Sequence, residues 1–420
     1  MADLMGAAYL KRKLEDKRHR VLLRYKYYDM KNGVHYFSGL IPDSMRWMVS
    51  SLGWCGKAVD VLADRLDVRE FERSTDLFDM NTIYENNNAD ILFDSAILSA
   101  LISSCCFIYI SADEDGFPRL QVIDGANATG IIDPITNLLK EGYAVLERDK
   151  DDRAILEAYF EPGKTTFYEK GKEPYSIEYN VPYPLLVPVI YRPDAKRPFG
   201  HSRISRSCMN LQQSALRTVL RSEVSAEFYS FPQKYALGLD QSAEIDTIKA
   251  TMSSFLAFTK DDDGDHPILG QFQQQSMSPH IEQLKMFAGL FAGEAELTTD
   301  DLGFATVNPS SAESIKASHE NLRLKARKAQ KQFSTGFINA GYLAACVRDD
   351  FPYLRRQVVD TKLRWYPLFE PDMSTVSLIG DGIIKLNQAI PGAITNRVLE
   401  DLTGFDLTMV EDAAETIGGE

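Results

Sequence analysis

The sequence predicts an α+β fold in which helical stretches and an antiparallel sheet occupy separate parts of the chain. Apolar residues recur at helical spacing through residues 5–31, 202–229 and 311 to the 340s, whereas short alternating runs divided by Gly, Pro, Asp and Asn fill residues 106–192. The 420 residues are 44% hydrophobic and 25% charged, which is ordinary for globular protein and leaves room for about two to four folding units.

Charge and cysteine usage limit the environment that we expect. The formal net charge is −14, so the surface as a whole should repel nucleic acid and anionic membranes, and contact with DNA should be local or weak. The five cysteines are spaced neither as a disulfide framework nor as a zinc site, which favours a reducing compartment. The N-terminus lacks an apolar signal core, which argues against secretion.

The N-terminal third is predicted to be helical. A basic helix covers residues 5–31, a second runs from about Met45 to Leu66, and a short strand near Val68 precedes a third helix from about Thr82. The uncharged stretch Ser95–Ala112 reaches the minimum length of a membrane span. Serines interrupt it and its second half is β-rich, so a buried helix that leads into a hairpin is the better interpretation.

The central region should form an antiparallel meander. Its predicted strands are Arg119–Ile123, Tyr143–Glu147, Ala154–Phe160, Thr165–Tyr168, Tyr175–Tyr179 and Leu185–Tyr191.

A bend rich in Pro and Gly follows the last strand, and Ser202 is expected to cap a long helix that opens at His201–Ile204 and ends near Tyr229. A second helix starts at Ser278, with Pro279 in its first turn. These two helices bracket a small α/β segment, in which we predict the strand Gln233–Gly238, the helix Ser242–Phe255 and the strand Ile268–Phe272.

The stretch Thr298–Pro309 has no helical stripe, and loops of such length are usually functional or disordered. It ends at a capping box, Ser310–Glu313, that opens a long helix with softening expected at Gly336 and Gly341. Its many basic residues more often form a solvated face than a phosphate site. The strand Gln357–Trp365, the helices Thr375–Ala389 and Ile394–Leu402, and an acidic tail beyond Gly404 complete the prediction.

The motifs of common enzymes are absent from the sequence. There is no P-loop, no His-Glu-x-x-His zinc helix, no paired Cys-x-x-Cys and no Gly-x-Ser-x-Gly elbow. The acidic run Asp261–Asp265 lacks the alternating ligands and the terminal glutamate of a calcium loop. We therefore predict no catalytic residue, no metal site and no cofactor.

The order of the segments carries a family resemblance that no single motif carries. The matching parts are Tyr27-Tyr28-Asp29, Val59-Asp60-x-x-Ala63-Asp64-Arg65-Leu66, the meander, Val187-Pro188-Val189, Gly200-x-Ser202-x-Ile204 and Ser310–Lys316 at the start of the long helix. In this order, nearly the whole chain resembles the portal (head–tail connector) proteins of tailed bacteriophages.

The resemblance implies a portal-protein fold with a division of the chain. A helical and β-meander wing would cover residues 1–200, with 346–373 returning to it; stem helices 201–228 and 279–293; an α/β clip 229–278; a tunnel loop 294–309; a long channel-spanning helix 310–345; and a small helical crown with the C-terminal tail 374–420.

The resemblance also implies a function. Subunits of this family form a ring, typically dodecameric, at one capsid vertex, and the ring is a passive channel for double-stranded DNA during packaging and ejection. The expected partners are further copies of the chain, DNA without sequence preference, the terminase large subunit, a head–tail adaptor, and capsid and scaffolding proteins, with no membrane. The protein would assemble in the host cytoplasm and reside in the virion.

Three sets of residues are assigned to this function by the resemblance. The tunnel loop would present Thr298, Thr299, Asp300, Asp301, Thr306 and Asn308 to DNA. The clip would present Asp261, Asp262, Asp263, Asp265 and His266 to terminase and the adaptor. Phosphate contacts would come from Lys316, Arg323 and Arg327.

Two alternatives remain open on the sequence. One is a metal-dependent nucleic-acid-processing enzyme that uses the scattered acids Asp60, Asp64, Asp261 and Asp263. The other is a scaffold or adaptor protein with no DNA function.

Overall fold

A computed structural model describes residues 4–34, 51–72, 77–230, 234–237, 268–271, 276–304, 317–368, 373–391, 394 and 396–403. The chain divides into two units. The first comprises Met1–Tyr28, Gly56–Ser205 and Ser310–Glu420, and the second comprises Asp29–Cys55 and Arg206–Pro309. The predicted mixture of helix and antiparallel sheet is confirmed.

The elements of the described residues are numbered in chain order. The helices are α1 (Ala7–Tyr28), α2 (Trp54–Ala63), α3 (Met80–Glu85), α4 (Ala89–Ser103), α5 (Arg206–Ser230), α6 (Ser278–Ala295), α7 (Glu320–Arg348), α8 (Met373–Ala389) and α9 (Asn396–Thr403). The strands are β1 (Val68–Glu72), β2 (Cys105–Ala112), β3 (Pro118–Ile123), β4 (Ala128–Ile132), β5 (Leu139–Arg148), β6 (Ala154–Glu161), β7 (Lys164–Glu169), β8 (Tyr175–Glu178), β9 (Leu186–Ile190), β10 (Lys234–Leu237), β11 (Ile268–Gln271) and β12 (Lys362–Trp365).

The meander of the first unit is antiparallel throughout, as predicted. Five strands follow one another in the order β4-β5-β6-β7-β8, while β2 lies between β3 and β9 in a separate three-stranded sheet. The uncharged stretch Ser95–Ala112 consists of the end of α4 and the whole of β2, which confirms the buried helix and hairpin. Among the described residues, no helix has both the length and the apolar character needed to cross a membrane.

Helix α1 is fixed to the five-stranded sheet by polar contacts. The Glu141 carboxylate accepts the backbone N–H groups of Met5 and Gly6 at 2.9 and 3.1 Å, and so places an anion at the positive end of a helix that has no acid in its own first turn. The ammonium groups of Lys13 and Lys17 each donate to a carbonyl of β4, Gly130 O and Ala128 O, at 2.8 Å. Because β4 is an edge strand of the sheet, these lysines cover carbonyls that could otherwise pair with a strand of another molecule and cause aggregation.

Helix α7 packs closely on the three-stranded sheet because a glycine lies at the contact. A Cβ at Gly336 would lie 3.1 Å from Val189 Cα, and one at Gly341 would lie 3.0 Å from Met80 Cγ. Phe333 and Phe337 are fully buried nearby. The helix continues through both glycines, so the predicted softening is wrong: the glycines allow close packing instead.

Three other predictions about the first helices need correction. Residues 51–53 are not helical and α2 ends at Ala63, so the continuous helix from Met45 to Leu66 is wrong, and its proposed start falls outside the described residues. The helix predicted from Thr82 is two helices, α3 and α4. Ser202 does not cap α5, which begins at Arg206; its buried hydroxyl donates to Ile102 O at 2.6 Å and accepts the Ile204 N–H at 3.0 Å.

The C-terminal part returns to the first unit through β12. This strand pairs antiparallel with β1 and begins at Lys362, whereas the first two residues of the predicted strand, Gln357 and Val358, belong to a 3₁₀ helix, Arg355–Val358. Arg364 contacts Glu72 at 3.2 Å and Glu400 at 3.7 Å, and Glu400 also lies 3.5 Å from Arg69. The two ion pairs of Glu400 attach α9 to the strand pair. The two predicted terminal helices are confirmed as α8 and α9, and the tail beyond Gly404 lies outside the described residues.

The second unit contains two long helices that pack antiparallel. Thr218 of α5 donates to Gln283 of α6 at 3.0 Å, and further along α5 the Ser225 hydroxyl lies 3.4 Å from His280, nearer the start of α6. The predicted apolar stripe of α5 is buried at Cys208, Ala215, Leu216, Leu220 and Val224. The two predicted strands between these helices are confirmed as β10 and β11, and they pair antiparallel. The predicted helix Ser242–Phe255 and the acidic run Asp261–Asp265 fall outside the described residues.

Replacing Gly336 with alanine should destabilise the protein. Alanine favours a helix, but the added Cβ meets the Val189 backbone and the Pro188 carbonyl at 3.1 and 3.2 Å, and a paired strand cannot move aside. We expect a loss of about 1–3 kcal/mol in the free energy of unfolding. The control is Gly289→Ala in α6, where a Cβ meets nothing within 4 Å and a gain of about 0.5–1 kcal/mol is expected. Equal shifts of the denaturation midpoints would contradict this explanation.

Candidate functional site

The first residues of the predicted tunnel loop form a turn with internal hydrogen bonds. Helix α6 ends at Ala295, the next residue, Glu296, is in the left-handed conformation, and the Leu297 N–H donates to Ala292 O at 2.9 Å. The Thr298 N–H and hydroxyl both donate to the Asp301 carboxylate at 2.9 Å, and the Asp301 N–H donates to the Thr298 hydroxyl at 3.2 Å. Two of the residues predicted to face DNA therefore bind each other.

Aromatic packing anchors the same turn. Asp300–Leu302 form a 3₁₀ helix with Leu302 buried, and the Phe304 N–H donates to Thr299 O at 3.0 Å. The Phe304 ring lies 6.5 Å from Trp54, which lies 5.5 Å from Phe291 of α6. Residues 298–304 are thus a packed turn, with Asp300 exposed and Thr299 half-buried, while Thr306 and Asn308 lie outside the described residues.

A buried amide network holds the residues around Trp54. Gln212 of α5 accepts the Cys55 N–H at 2.8 Å and donates to Asn32 at 3.3 Å, while Gln213 donates to Gly33 O at 3.0 Å. Because Gln212 is fully buried, each of these bonds contributes more than it would at the surface. Helices α5 and α6 therefore support the turn from within the second unit.

The predicted phosphate contacts on α7 differ in their availability. Arg323 makes two 2.7 Å bonds to the Glu320 carboxylate, and this pairing raises the pKa of Arg323 and lowers that of Glu320. Arg327 is exposed beside a groove of about 410 Å³ that is also lined by Leu324, Lys328 and Lys331. Lys316 lies outside the described residues. The sequence-based choice missed Lys328 and Lys331, although their helical spacing from Arg327 and Leu324 places them on one face.

Two acids of the alternative enzyme hypothesis, Asp60 and Asp64, lie in an acidic cleft of the first unit. Asp60, Asp64, Asp67 and Asp94 line a cavity of about 560 Å³ between α2 and α4, with Asp60 accepting the Tyr28 hydroxyl at 2.9 Å. Burial, then the charges of neighbouring aspartates, raise the pKa values of Asp67 and Asp94. Within the described residues, no group of three or more His, Cys, Asp or Glu is arranged to hold a metal ion. Asp261 and Asp263 lie outside them, as do the other predicted clip residues Asp262, Asp265 and His266.

Comparison with known families decides the assignment. The model of the family described as phage portal protein, SPP1 Gp6-like, matches residues 7–364. The chain belongs to this portal protein family. The match covers α1 through most of β12, whereas α8 and α9 lie beyond it.

Individual relatives of this portal chain are distant. The portal protein of Mycobacterium phage L5 is 24% identical over 344 residues, which are 76% of this chain and 69% of the relative. The portal protein of Mycobacterium phage D29 is 21% identical over 355 residues, which are 79% of this chain and 72% of the relative. Among solved structures, a chain from the neck of an empty gene transfer agent particle computed with C6 symmetry is 11% identical, with a TM-score of 0.47. The superposition covers 84% of this chain and 90% of that one.

Replacing Asp94 with asparagine should stabilise this portal chain in a pH-dependent way. The pKa of Asp94 is raised on folding, so the wild type loses stability as pH rises through that pKa, and the variant does not. Because Asp94 is exposed, we expect the variant to gain only about 0.5 kcal/mol at pH 7. The gain should vanish below the ordinary Asp pKa of about 3.9.

Denaturant titrations across pH would measure this difference. Asp115→Asn in the exposed β2–β3 turn is the matched control for the loss of a surface carboxylate. A less stable Asp94→Asn variant at pH 7 would contradict this account of the cleft, because it would mean that the Asp94 carboxylate contributes favourable contacts that outweigh its repulsion from the neighbouring aspartates.

Proposed function

We propose that copies of this chain close into a ring at one capsid vertex and form the channel through which double-stranded DNA enters and leaves the particle. The observation that carries the proposal is the family match over residues 7–364. Head-to-tail contacts between identical subunits close into a ring when their rotation allows it, and the dodecamer expected of the family is such a ring.

The topology supports the proposed division into parts. Antiparallel helices α5 and α6, with the paired strands β10 and β11 between them in the chain, suit a stem (201–228 and 279–293) that carries a clip (229–278). The pairing of β12 with β1 suits a return of residues 346–373 to a wing formed by residues 1–200. Residues 310–345 would be the channel-spanning helix, and 374–420 the crown and tail.

The packed turn suggests how the tunnel loop works. Thr298 and Asp301 would keep the base of the loop rigid, because each is a hydrogen-bond partner of the other. Leu302 is buried and Phe304 packs against Trp54, which would fix the base further. Thr306 and Asn308, together with the exposed Asp300, would then meet the DNA backbone. Such polar contacts position a duplex without reading its sequence.

Electrostatics favours sliding over tight binding. The net charge of −14 opposes phosphate binding in general, and each neutralised phosphate adds affinity that slows movement. Arg327 would supply a local phosphate contact with Lys328 and Lys331, and Lys316 would extend that set. Arg323 would join only after leaving Glu320, because its guanidinium is occupied by that carboxylate.

Energy for transport would come from a separate terminase. The sequence contains no P-loop, so we propose a passive conduit on which the terminase large subunit and then a head–tail adaptor dock at Asp261–His266 of the clip. The wing would contact capsid and scaffolding proteins, and the mature ring would reside in the virion.

The first test is electron microscopy of the purified protein in negative stain, combined with native mass determination. We expect rings with a central hole and a mass of about twelve subunits. A monomer at every salt and protein concentration, including after co-expression with the capsid and scaffolding proteins of the same particle, would contradict the proposal.

The second test separates the anchored turn from the rest of the loop. Deleting residues 305–308 leaves Thr298–Phe304 intact, so rings should assemble as in the wild type while particles package or retain less DNA, measured as DNA per particle. Replacing 305–308 with a Gly-Ser linker of equal length is the control that separates reach from side-chain chemistry. If neither variant assembles under conditions in which the wild type forms rings, the segment is structural and the channel assignment is wrong.

A further inference from the structure

The outer edge of β8 is open, whereas polar side chains bind the outer edges of three other strands in the first unit. Lysines of α1 bind the carbonyls of β4. Asn87 accepts the Leu120 N–H of β3 at 2.9 Å. Asn81 accepts the Phe71 N–H of β1 at 2.8 Å. All four residues of β8 are exposed, and within the described part of the chain no hydrogen bond is made to the outer edge of this strand. Such an edge can take a strand from another molecule.

The register of β8 on β7 decides which of its backbone groups are open. The Tyr179 N–H donates to Gly163 O at 2.9 Å, just beyond the end of the strand pair. In an antiparallel pair every second residue bonds to the partner strand, and the residues in between direct their N–H and C=O groups the other way. Counting back from Tyr179, the residues in between are Ser176 and Glu178. These two residues therefore offer two donors and two acceptors to an added strand.

The two faces of β8 differ in polarity. Tyr175 and Ile177 share one face and are 45% and 40% exposed, and the Tyr175 ring stacks on the buried Phe167 with centroids 5.1 Å apart. Ser176 and Glu178 lie on the opposite face, because successive side chains of a strand alternate. An added strand would therefore need apolar side chains at alternate positions to cover Tyr175 and Ile177.

The charges at this edge favour a basic partner. Lys172, just before β8, is already paired with Glu169 at 2.7 Å. Glu173 and Glu178 form no ion pair with any described residue, although Lys164 lies opposite Glu178 on β7. The open edge thus carries more carboxylates than available ammonium groups, and a segment with lysine or arginine would complement it.

We propose that an extended, basic segment of another protein of the particle adds to β8 as a further strand of the five-stranded sheet, an inference that rests on the proposed function. Hydrogen bonds to the Ser176 and Glu178 backbone would supply affinity, and side chains at alternate positions would supply specificity. The apolar side chains of the segment would cover Tyr175 and Ile177, and its basic side chains would lie beside the open carboxylates. Strand β8 belongs to the proposed wing, which would contact the capsid and scaffolding proteins.

A second copy of this chain is a poorer occupant of the edge. Pairing of β8 with β8 would be two-fold symmetric, and such a contact closes a dimer and cannot join neighbours head to tail around a ring. Like charges would also meet, because each copy brings Glu178 to the edge and the whole chain carries −14. The occupant that fits is therefore a segment of different sequence.

Hydrogen exchange of the β8 amides tests the added strand. The measurement compares purified wild-type rings with the same rings built into shells, obtained by co-expression with the capsid and scaffolding proteins of the same particle. We expect the Ser176 and Glu178 N–H groups to exchange about tenfold more slowly in the shells than in free rings, because a new hydrogen bond protects an amide. The Ile177 N–H already bonds to β7 and should be protected equally in both.

A matched pair of variants separates the backbone from the side chain at one position. Ser176→Pro removes the outward N–H but no bond to β7, and proline is accepted on edge strands in this orientation. Ser176→Ala keeps the N–H, and both variants lose the contact between the Ser176 and Thr166 hydroxyls at 3.1 Å. Both should form rings, but we expect Ser176→Pro rings to enter shells about fivefold less often than Ser176→Ala rings, because one hydrogen bond is lost and the proline ring obstructs the segment.

Coupling of carboxylates to amines with a carbodiimide identifies the partner. In wild-type shells, Glu173 or Glu178 should be joined to a lysine of a capsid or scaffolding protein, because this coupling adds no spacer and requires direct contact. Mass spectrometry of the cross-linked peptides then shows which segment lies on β8.

The outcomes separate this inference from the proposed function. Equal exchange of the Ser176 and Glu178 N–H groups in free rings and shells would overturn the added strand and leave the portal assignment intact, as would equal entry of the two variants into shells. Protection of both amides in free rings, or cross-links from Glu178 to another copy, would overturn it in favour of a contact between copies. Should Ser176→Pro fail to form rings, the exchange of the wild-type amides decides alone. Failure of the wild type to form any ring would instead overturn the proposed function.

Discussion

The first unit depends on the close approach of α7 to β9 at Gly336. Without a side chain at that position, the helix backbone lies against Val189, and the flanking Phe333 and Phe337 reach the core on either side. Tyr84 then donates its buried hydroxyl to Phe337 O at 2.6 Å, which ties α3 to the same helix. Burial in the apolar core raises the pKa of Tyr84, so its hydroxyl stays protonated and remains a hydrogen-bond donor.

Basic residues have opposite uses in α1 and α7. In α1, Lys13 and Lys17 lie over aromatic rings, 5.2 Å from Phe199 and 5.5 Å from Phe107, and bind the carbonyls of β4. Burial lowers the pKa of both lysines, which is the cost of using charged groups as structural donors. Arg327, Lys328 and Lys331 of α7 are exposed instead. Exposed basic residues also occur in α1, at Arg12, Arg20 and Lys26, so the pattern of charges in the sequence does not distinguish the lysines that hold the fold from the basic residues left at the surface.

In the second unit, buried and paired polar side chains hold the backbone in place. Thr298 and Asp301 form a closed hydrogen-bonded pair, and Gln212 and Gln213 organise the backbone near Trp54, so these polar side chains maintain the fold. In the channel that we propose, few strong phosphate contacts would let DNA slide. A loop whose base is packed and whose remaining residues carry hydroxyl and amide groups would provide such a surface.

The sequence by itself determined the type and order of the elements. Periods of 3.6 and 2 residues and local turn chemistry are encoded in neighbouring residues, and they correctly predicted α1, the meander, α5, α6 and the terminal helices. Only the tertiary structure decided what single residues do. Glu141 binds the N–H of Met5, 136 residues away; Gly336 meets Val189; Ser202 binds Ile102 instead of capping α5; and Asp67 and Asp94 join Asp60 and Asp64 in one cleft. These contacts join segments distant in the chain, and local periodicity carries no information about which distant segments meet.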